Sequence, residues 1–345
     1  MKIKPMTKFA ILALSLVLVA CAGGGSEEAG CPAIDGREIN VVATTPMIGE
    51  FVSQVGGEKI NLTVLMPPEA NPHTYEPAPQ DAGTIAEADL VFYTGLLYEP
   101  AALVKLLENS ACSTDILSEV GESVFPIEFK EGGHDDHDDH DDHDDEEGHD
   151  DEEGHDDEEG HDDHEGHNHG AYDPHFWFDP SRVAYAAEYI ESRLIEFDPE
   201  NESSYKSSAD SFVSELNDLT KQVSELISTV PSQNRKLITT HESLGYLEAK
   251  FGLEVLSTII PSLNSANEIS PSDLAGVIDV IEDNNVKVIF IESEAPSVYS
   301  ETIVVETGIK SVTGLYVETL KPGQSYSEFL ISNVTLITEN LQDTD

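Results

Sequence analysis

The chain has 345 residues, with 17 Lys and Arg against 68 Asp and Glu, for a formal charge of −51. Phosphate recognition needs a basic face, and so few cations cannot build one of useful size, which excludes a nucleic-acid binder. A hydrophobic fraction of 39 % excludes disorder throughout, and at ~150 residues per domain the length predicts two domains.

Residues 1–20 read as an export signal. Lys2, Lys4 and Lys8 precede an apolar run from Phe9 to Ala20, interrupted by Ser15, which is shorter than the ~20 residues that span a bilayer. The run ends Leu18-Val19-Ala20-Cys21, which resembles the lipobox of bacterial lipoproteins and would make Cys21 the lipid-bearing mature N-terminus. A plain signal peptide ending near a cysteine is the alternative. Residues 21–36 then form a tether, with Gly23-Gly24-Gly25-Ser26 as its flexible part. Cys31 and Cys112 remain, and an even pair in an exported protein predicts a disulfide. Neither has the CxxC spacing of a metal site.

From Glu38 onward, strand-like runs alternate with helical patterns. Ile39–Ala43, Ile60–Met66 and Leu90–Tyr93 are predicted strands, separated by helices at Pro46–Val55 and Gln80–Glu87 and followed by one at Glu99–Glu108. The series recurs with strands at Lys236–Thr240, Val255–Ile260, Val286–Ile291 and Val312–Val317, and helices at Ser243–Phe251, Ser272–Asp283, Ser300–Gly308 and Ser325–Leu341. Such alternation builds parallel sheets from βαβ units, so the fold class is α/β with an N-terminal lobe at 37–179 and a C-terminal lobe at 232–345. Between them, residues 180–231 are helical. Pro180 after Asp179 opens the first of these helices. In the second, over 200–229, Tyr205, Ala209, Phe212, Leu216, Leu219, Val223, Leu226 and Val230 make one apolar seam at spacings of four and three. A helix of that length can link both lobes; dimerisation through the seam is the alternative.

Thirteen histidines fall into two groups. Ten lie in an extremely acidic tract, residues 131–170: His134, His137, His140, His143, His149, His155, His161, His164, His167 and His169. Between Glu131 and His169 there are 22 acidic residues and no Lys or Arg, leaving −29 on the other 306 residues. With no apolar side chain to bury and like charges throughout, the composition predicts disorder. Imidazole interleaved with carboxylate suits Zn(II) and similar ions, so loose, multiple metal binding is expected there, with a solvated spacer as the alternative. The other three are His73, in Asn71-Pro72-His73-Thr74-Tyr75-Glu76-Pro77; His175, in Asp173-Pro174-His175-Phe176-Trp177-Phe178-Asp179-Pro180; and His241, in His241-Glu242-Ser243-Leu244-Gly245-Tyr246. His73 and His241 follow predicted strands, where open α/β sheets place their ligand crevice.

In these segments, and in Phe251-Gly252-Leu253 and Glu268-Ile269-Ser270-Pro271-Ser272-Asp273-Leu274, the sequence resembles the metal-binding solute-binding proteins of ABC transporters, cluster A-I, and their zinc-uptake branch. The resemblance runs from about Ile39 to Leu341 and implies two α/β lobes, a rigid linking helix and one divalent ion in the cleft. It further implies His73 and His175 as ligands from the first lobe and His241 from the second. His241 points to zinc, because manganese members usually carry a carboxylate there. Related proteins often have Asp near the last strand; here Tyr316-Val317-Glu318-Thr319-Leu320 offers Glu318, leaving open whether its longer side chain reaches the ion or whether water or a tract carboxylate completes the shell. The His-rich loop of zinc members matches the tract. The implied partner is a membrane permease, the cargo Zn(II), and the protein a membrane-anchored extracytoplasmic lipoprotein acting as a monomer, not an enzyme.

Neutral imidazole is the ligating form, so ion capture is expected to weaken below about pH 6, given an ordinary His pKa of ~6.5. A manganese or other divalent-metal receptor, or an adhesin, is the alternative within the family. A secreted zinc hydrolase is the alternative outside it, but His241-Glu242 lacks the second histidine of HExxH. Deleting residues 134–169 should leave the lobes folded and the tight site within a few-fold of its affinity, while slowing Zn(II) loading at nanomolar ion and low salt, where tract charge concentrates cations. Stopped-flow loading of intact and deleted chains at two ionic strengths checks this; equal rates at low salt would leave the tract a spacer.

Overall fold

The computed structural model describes residues 31, 34, 36–68, 70–129, 172–260, 270–294 and 298–342. The export signal, Cys21, the glycine tether and the ten tract histidines lie outside the described residues. The strands form two parallel four-stranded sheets. The first holds β1 (Ile39–Ala43), β2 (Ile60–Val64), β3 (Leu90–Tyr93) and β4 (Leu117–Glu119) in the order β2-β1-β3-β4. The second holds β5 (Lys236–Thr239), β6 (Glu254–Thr258), β7 (Val288–Glu292) and β8 (Lys310–Leu315) in the order β6-β5-β7-β8. The two halves therefore repeat one topology, as the α/β reading requires.

Continuous apolar runs suit sheets covered on both faces, because successive side chains alternate between two cores. In β1, Ile39, Val41 and Ala43 enter the large core while Val42 joins a smaller one with Val91, Ile85 and Leu103. The second sheet does the same: Leu237 and Phe290 face the large core, and Ile238, Ile289 and Ile291 pack under α7 (Pro271–Asn284) and α8 (Val298–Thr307). The large core is continuous through both halves.

The linking helix explains that continuity. α1 (Pro46–Gly56) is capped by Thr45, whose Oγ1 accepts from the Ile48 N–H. α4 (Pro180–Phe197) has Asp179 as its N-cap and Pro180 in its first turn, as predicted. α5 (Glu202–Ser228) is 27 residues, about 40 Å, entered through a 3₁₀ turn at Pro199–Asn201 that takes up the first residues of the predicted helix. It packs against α1 and α4 of the first half and α9 (Tyr326–Gln342) of the second. Tyr205, Ala209, Phe212, Leu216, Leu219 and Val223 are buried as the seam predicts. In the last turn Ile227, not Leu226, is the buried residue, because a straight helix drifts about 20° per heptad from a strict 3.5 repeat. The seam is spent within the chain, which removes the surface a coiled-coil dimer would need.

Several boundaries differ from expectation. β4, an edge strand of three residues, is too short to show a period. α3 (Ala101–Ser110) starts two residues late because Pro100 occupies its N-cap and disfavours helical backbone in the residue before it. Val286 and Val317 are buried but lie outside the ladders of β7 and β8: apolar runs report burial, not pairing. The short helices α2 (Pro79–Ala86) and α6 (Gly245–Phe251) fall where expected. No helix among the described residues is long and apolar enough to cross a membrane.

Cys31 and Cys112, 81 residues apart, form the predicted disulfide and close the first lobe. On a chain-entropy account a loop of that length contributes about 4 kcal/mol. Cys31→Ser with Cys112→Ser should therefore lower the urea unfolding midpoint of the oxidised protein to that of the reduced wild type; unchanged midpoints would assign the bridge no role in stability.

Candidate metal centre

Four side chains converge where the carboxyl ends of the two sheets meet. His73 sits in a 3₁₀ turn after β2, where Asn71 caps it by accepting the His73 N–H at 2.9 Å. His175 precedes the 3₁₀ turn Phe176–Phe178, whose three aromatic side chains are fully buried. His241 follows β5 by two residues and Glu318 follows β8 by three. Glu318 Oε1 is the common centre: it lies 2.9 Å from His241 Nε2, 3.2 Å from His73 Nε2 and 3.4 Å from His175 Nε2. His175, His241 and Glu318 are buried, and His73 is partly exposed. One candidate ligand atom from each of the four lies within 4.8 Å of the others. The longer side chain of Glu318 thus reaches the three histidines.

A layer of partners orients these groups. Asp173 Oδ1 lies 2.7 Å from His175 Nδ1 and accepts the His175 N–H at 2.9 Å. Glu292 Oε2 lies 2.5 Å from His241 Nδ1 and is itself held by donation from Ser243 Oγ to Oε1. Each carboxylate turns the opposite ring nitrogen, Nε2, towards the centre, the arrangement that fixes imidazole ligands. His73 Nδ1 is buried without a partner among the described residues. The Tyr98 O–H donates to Glu318 Oε2 at 2.8 Å. Trp177 Nε1–H donates to the Val317 carbonyl at 2.8 Å, tying the Glu318 segment to the first lobe. Glu292 had a legible signal, a carboxylate ending the apolar run Val288-Ile289-Phe290-Ile291, and Asp173 stands two residues before His175. Tyr98 had none.

Tyr98 follows an unusual turn. Gly95, Leu96 and Leu97 have φ of 78°, 53° and 60°, and the left-handed region costs a non-glycine residue roughly 1–2 kcal/mol. Two carboxylates hold the turn: Glu99 accepts the N–H groups of Thr94 and Gly95 at 2.6 and 2.9 Å, and Glu119 accepts that of Leu96 at 2.9 Å. A Cβ at residue 95 would collide with the Glu119 side chain. Burial pushes the Glu99 carboxyl above its ordinary range, against these donors and Thr44 Oγ1.

The described residues that flank the acidic tract meet beside His175. Glu128 and Tyr172 form an isolated antiparallel bridge, and the Asp173 N–H donates to the Ile127 carbonyl at 2.8 Å. Tyr246, from α6, spans both sides: it accepts the Ile127 N–H at 3.2 Å and donates to the Asp173 carbonyl at 2.9 Å. The preceding Gly245 lets the backbone approach, since a Cβ there would lie 2.7 Å from Asp173 Oδ2.

The family of the periplasmic zinc-uptake complex component A, ZnuA, matches residues 41–340. The chain belongs to this family. Among its relatives, the manganese ABC transporter substrate-binding lipoprotein PsaA of Streptococcus anginosus is 26 % identical over 348 residues, covering 98 % of this chain and 99 % of its own. The high-affinity zinc uptake system protein ZnuA of Bacillus subtilis is 28 % identical, covering 96 % of each. The periplasmic zinc-binding protein TroA from Treponema pallidum superposes with a TM-score of 0.70 at 20 % identity, over 88 % of this chain and 99 % of its own, and shows the same fold. Membership in a family of uptake components places this chain among metal receptors working outside the cytoplasmic membrane.

Charge in the cluster of this ZnuA-family chain is strongly coupled. Burial opposes protonation of His175, but the Glu318 and Asp173 carboxylates outweigh it and push the imidazole up to about 9. Burial likewise opposes protonation of His241, which Glu292 and Glu318 push up to about 10. Burial would raise the Glu318 carboxyl, but His73 and His175 hold it well below its usual range. A cation entering the cluster must displace these protons, so the competition extends above the pH 6 expected from free imidazole. The same coupling fixes how metal-free stability varies with pH. The raised histidines contribute fully below their ordinary 6.5 and lose that contribution as pH rises through 9 and 10. The depressed Glu318 contributes above its ordinary 4.5 and loses it as pH falls. The melting temperature of chelator-treated protein should therefore peak between about pH 4.5 and 6.5 and decline towards pH 10. His241→Gln should flatten the alkaline limb; a wild-type limb that is already flat would refute the coupling.

Proposed function

We propose that this chain is the zinc receptor of an ABC importer. Anchored by lipid on Cys21 and acting as a monomer, it captures Zn(II) between its lobes and delivers it to a membrane permease, while the tract histidines gather ions nearby. The observation that carries this reading is the His73, His175, His241 and Glu318 set, whose ligand atoms lie within 4.8 Å of one another and come from both lobes. Three imidazoles and one carboxylate make the four-coordinate nitrogen-rich shell that Zn(II) accepts, with the Asp173 and Glu292 contacts as its outer support. Mg(II) and Ca(II) take more numerous oxygen ligands. The reading is of a receptor and not an enzyme, as the family of uptake components supports.

A manganese receptor is the second reading, favoured by the name of the Streptococcus anginosus relative. Mn(II) is suited by carboxylate, carbonyl and water oxygens, which a set of three imidazoles does not supply. Metal analysis of the purified protein, followed by chelator-competition titration, should find one tight Zn(II) site per chain and weaker binding of Mn(II). A preference for Mn(II) would transfer the proposal to the second reading, and binding of neither would end both. His73→Ala, His175→Ala and His241→Ala should each weaken the tight phase at least tenfold, about 1.4 kcal/mol, and Glu318→Gln should also lower Zn(II) affinity. A histidine variant with full affinity would remove that residue from the shell.

A further inference from the structure

We propose that Tyr98 sets the metal specificity of the site by restricting Glu318 to a single metal bond. The inference rests on the reading of the cluster as a metal centre. The two oxygens of Glu318 have different surroundings. Oε1 faces Nε2 of all three histidines, whereas Oε2 accepts the Tyr98 O–H at 2.8 Å. The same phenol oxygen lies 3.1 Å from the Glu318 carbonyl, so Tyr98 meets both the backbone and the side chain of one residue. The residue is 1 % exposed and its ring stands edge-on to His73 and Trp177, with centroid separations of 4.9 and 5.3 Å, which leaves the hydroxyl little freedom to swing away.

What aims Tyr98 is the left-handed turn before it. Three successive residues with positive φ reverse the chain after β3, and the Tyr98 N–H closes the turn by donating to the Gly95 carbonyl at 2.9 Å. Glu99 fixes the turn to β1 through Thr44 Oγ1 at 2.7 Å, and Glu119 fixes it to β4. The conformation is retained because carboxylate acceptors determine it on both sides. The phenol is thus placed by the fold of the first lobe, while the carboxylate it holds belongs to the second.

The chemical consequence follows from ligand number. A carboxylate with both oxygens available can bind one ion through two bonds. With Oε2 engaged by a buried donor, only Oε1 is offered, and three imidazoles plus one oxygen make four ligands. That number suits Zn(II), whereas Mn(II) takes a larger oxygen-rich shell. Removing the hydroxyl while keeping the ring should let Oε2 turn inward and add a fifth bond.

Tyr98→Phe, checked for folding by circular dichroism and thermal melting, should lower the ratio of Zn(II) to Mn(II) affinity at least tenfold in competition titrations. X-ray absorption of the Zn(II)-loaded variant should show a rise in oxygen coordination over wild type. A residue that only stabilises the fold would weaken both ions alike, and an unchanged ratio would overturn the proposal. So would a two-bond carboxylate in the X-ray absorption of Zn(II)-loaded wild type, a measurement that needs no variant to fold. Failure of the zinc-receptor reading looks different: wild type would then prefer Mn(II) or bind neither ion, irrespective of what Tyr98→Phe does to the ratio.

Discussion

One buried oxygen organises this molecule. Glu318 Oε1 is shared by three imidazoles that arrive from separate stretches of chain, two in the first lobe and one in the second. A carboxylate taken out of water is costly unless charge and hydrogen bonds compensate it, and here the compensating groups are the rings themselves. The lobes are thereby joined at the cleft by an electrostatic contact. The partners behind the rings, Asp173 and Glu292, place two further carboxylates against the same cluster.

The rest of the fold serves to hold these groups still. His241 and Glu318 stand just past the carboxyl ends of β5 and β8, and His73 in the turn that follows β2, on the side where a parallel sheet opens its crevice. α5 packs on α1 and α4 of the first half and on α9 of the second, and contributes to a core that the halves have in common. Trp177 and Tyr326 add a chain of donors across the lobes: Trp177 donates to the Val317 carbonyl, and Tyr326 donates to the carbonyl of Trp177. The large aromatic side chains near the site are therefore framework as well as core filling.

Much of this was legible in the sequence, for identifiable reasons. Seven of the eight strands were visible as apolar runs, and His73, His175 and His241 stood out because the folded part has so few histidines. Glu318 was legible only as a candidate, since sequence cannot say how far a glutamate reaches. The Gly95-Leu96-Leu97 turn was not legible at all: two leucines in left-handed conformation contradict local preference, and only tertiary contacts from Glu99 and Glu119 sustain them. Tyr98 was hidden for the same reason, because its role depends on a turn that its neighbours do not encode. The drift from Leu226 to Ile227 shows a smaller version of the effect, in which helix geometry overrides a pattern read by eye.

The stem below the acidic tract has a bearing on how such a chain can change over generations. Ile127 and Asp173, on the two sides of the tract, are held to each other and to Tyr246. Doubling the length of a chain joining two such points costs only about 0.6 kcal/mol in closure entropy. Within that segment two Gly-His-Asp-Asp-Glu-Glu units stand in succession at 148–159. The pinning by Tyr246 thus makes the length of the segment between Ile127 and Asp173 nearly neutral for the folded lobes.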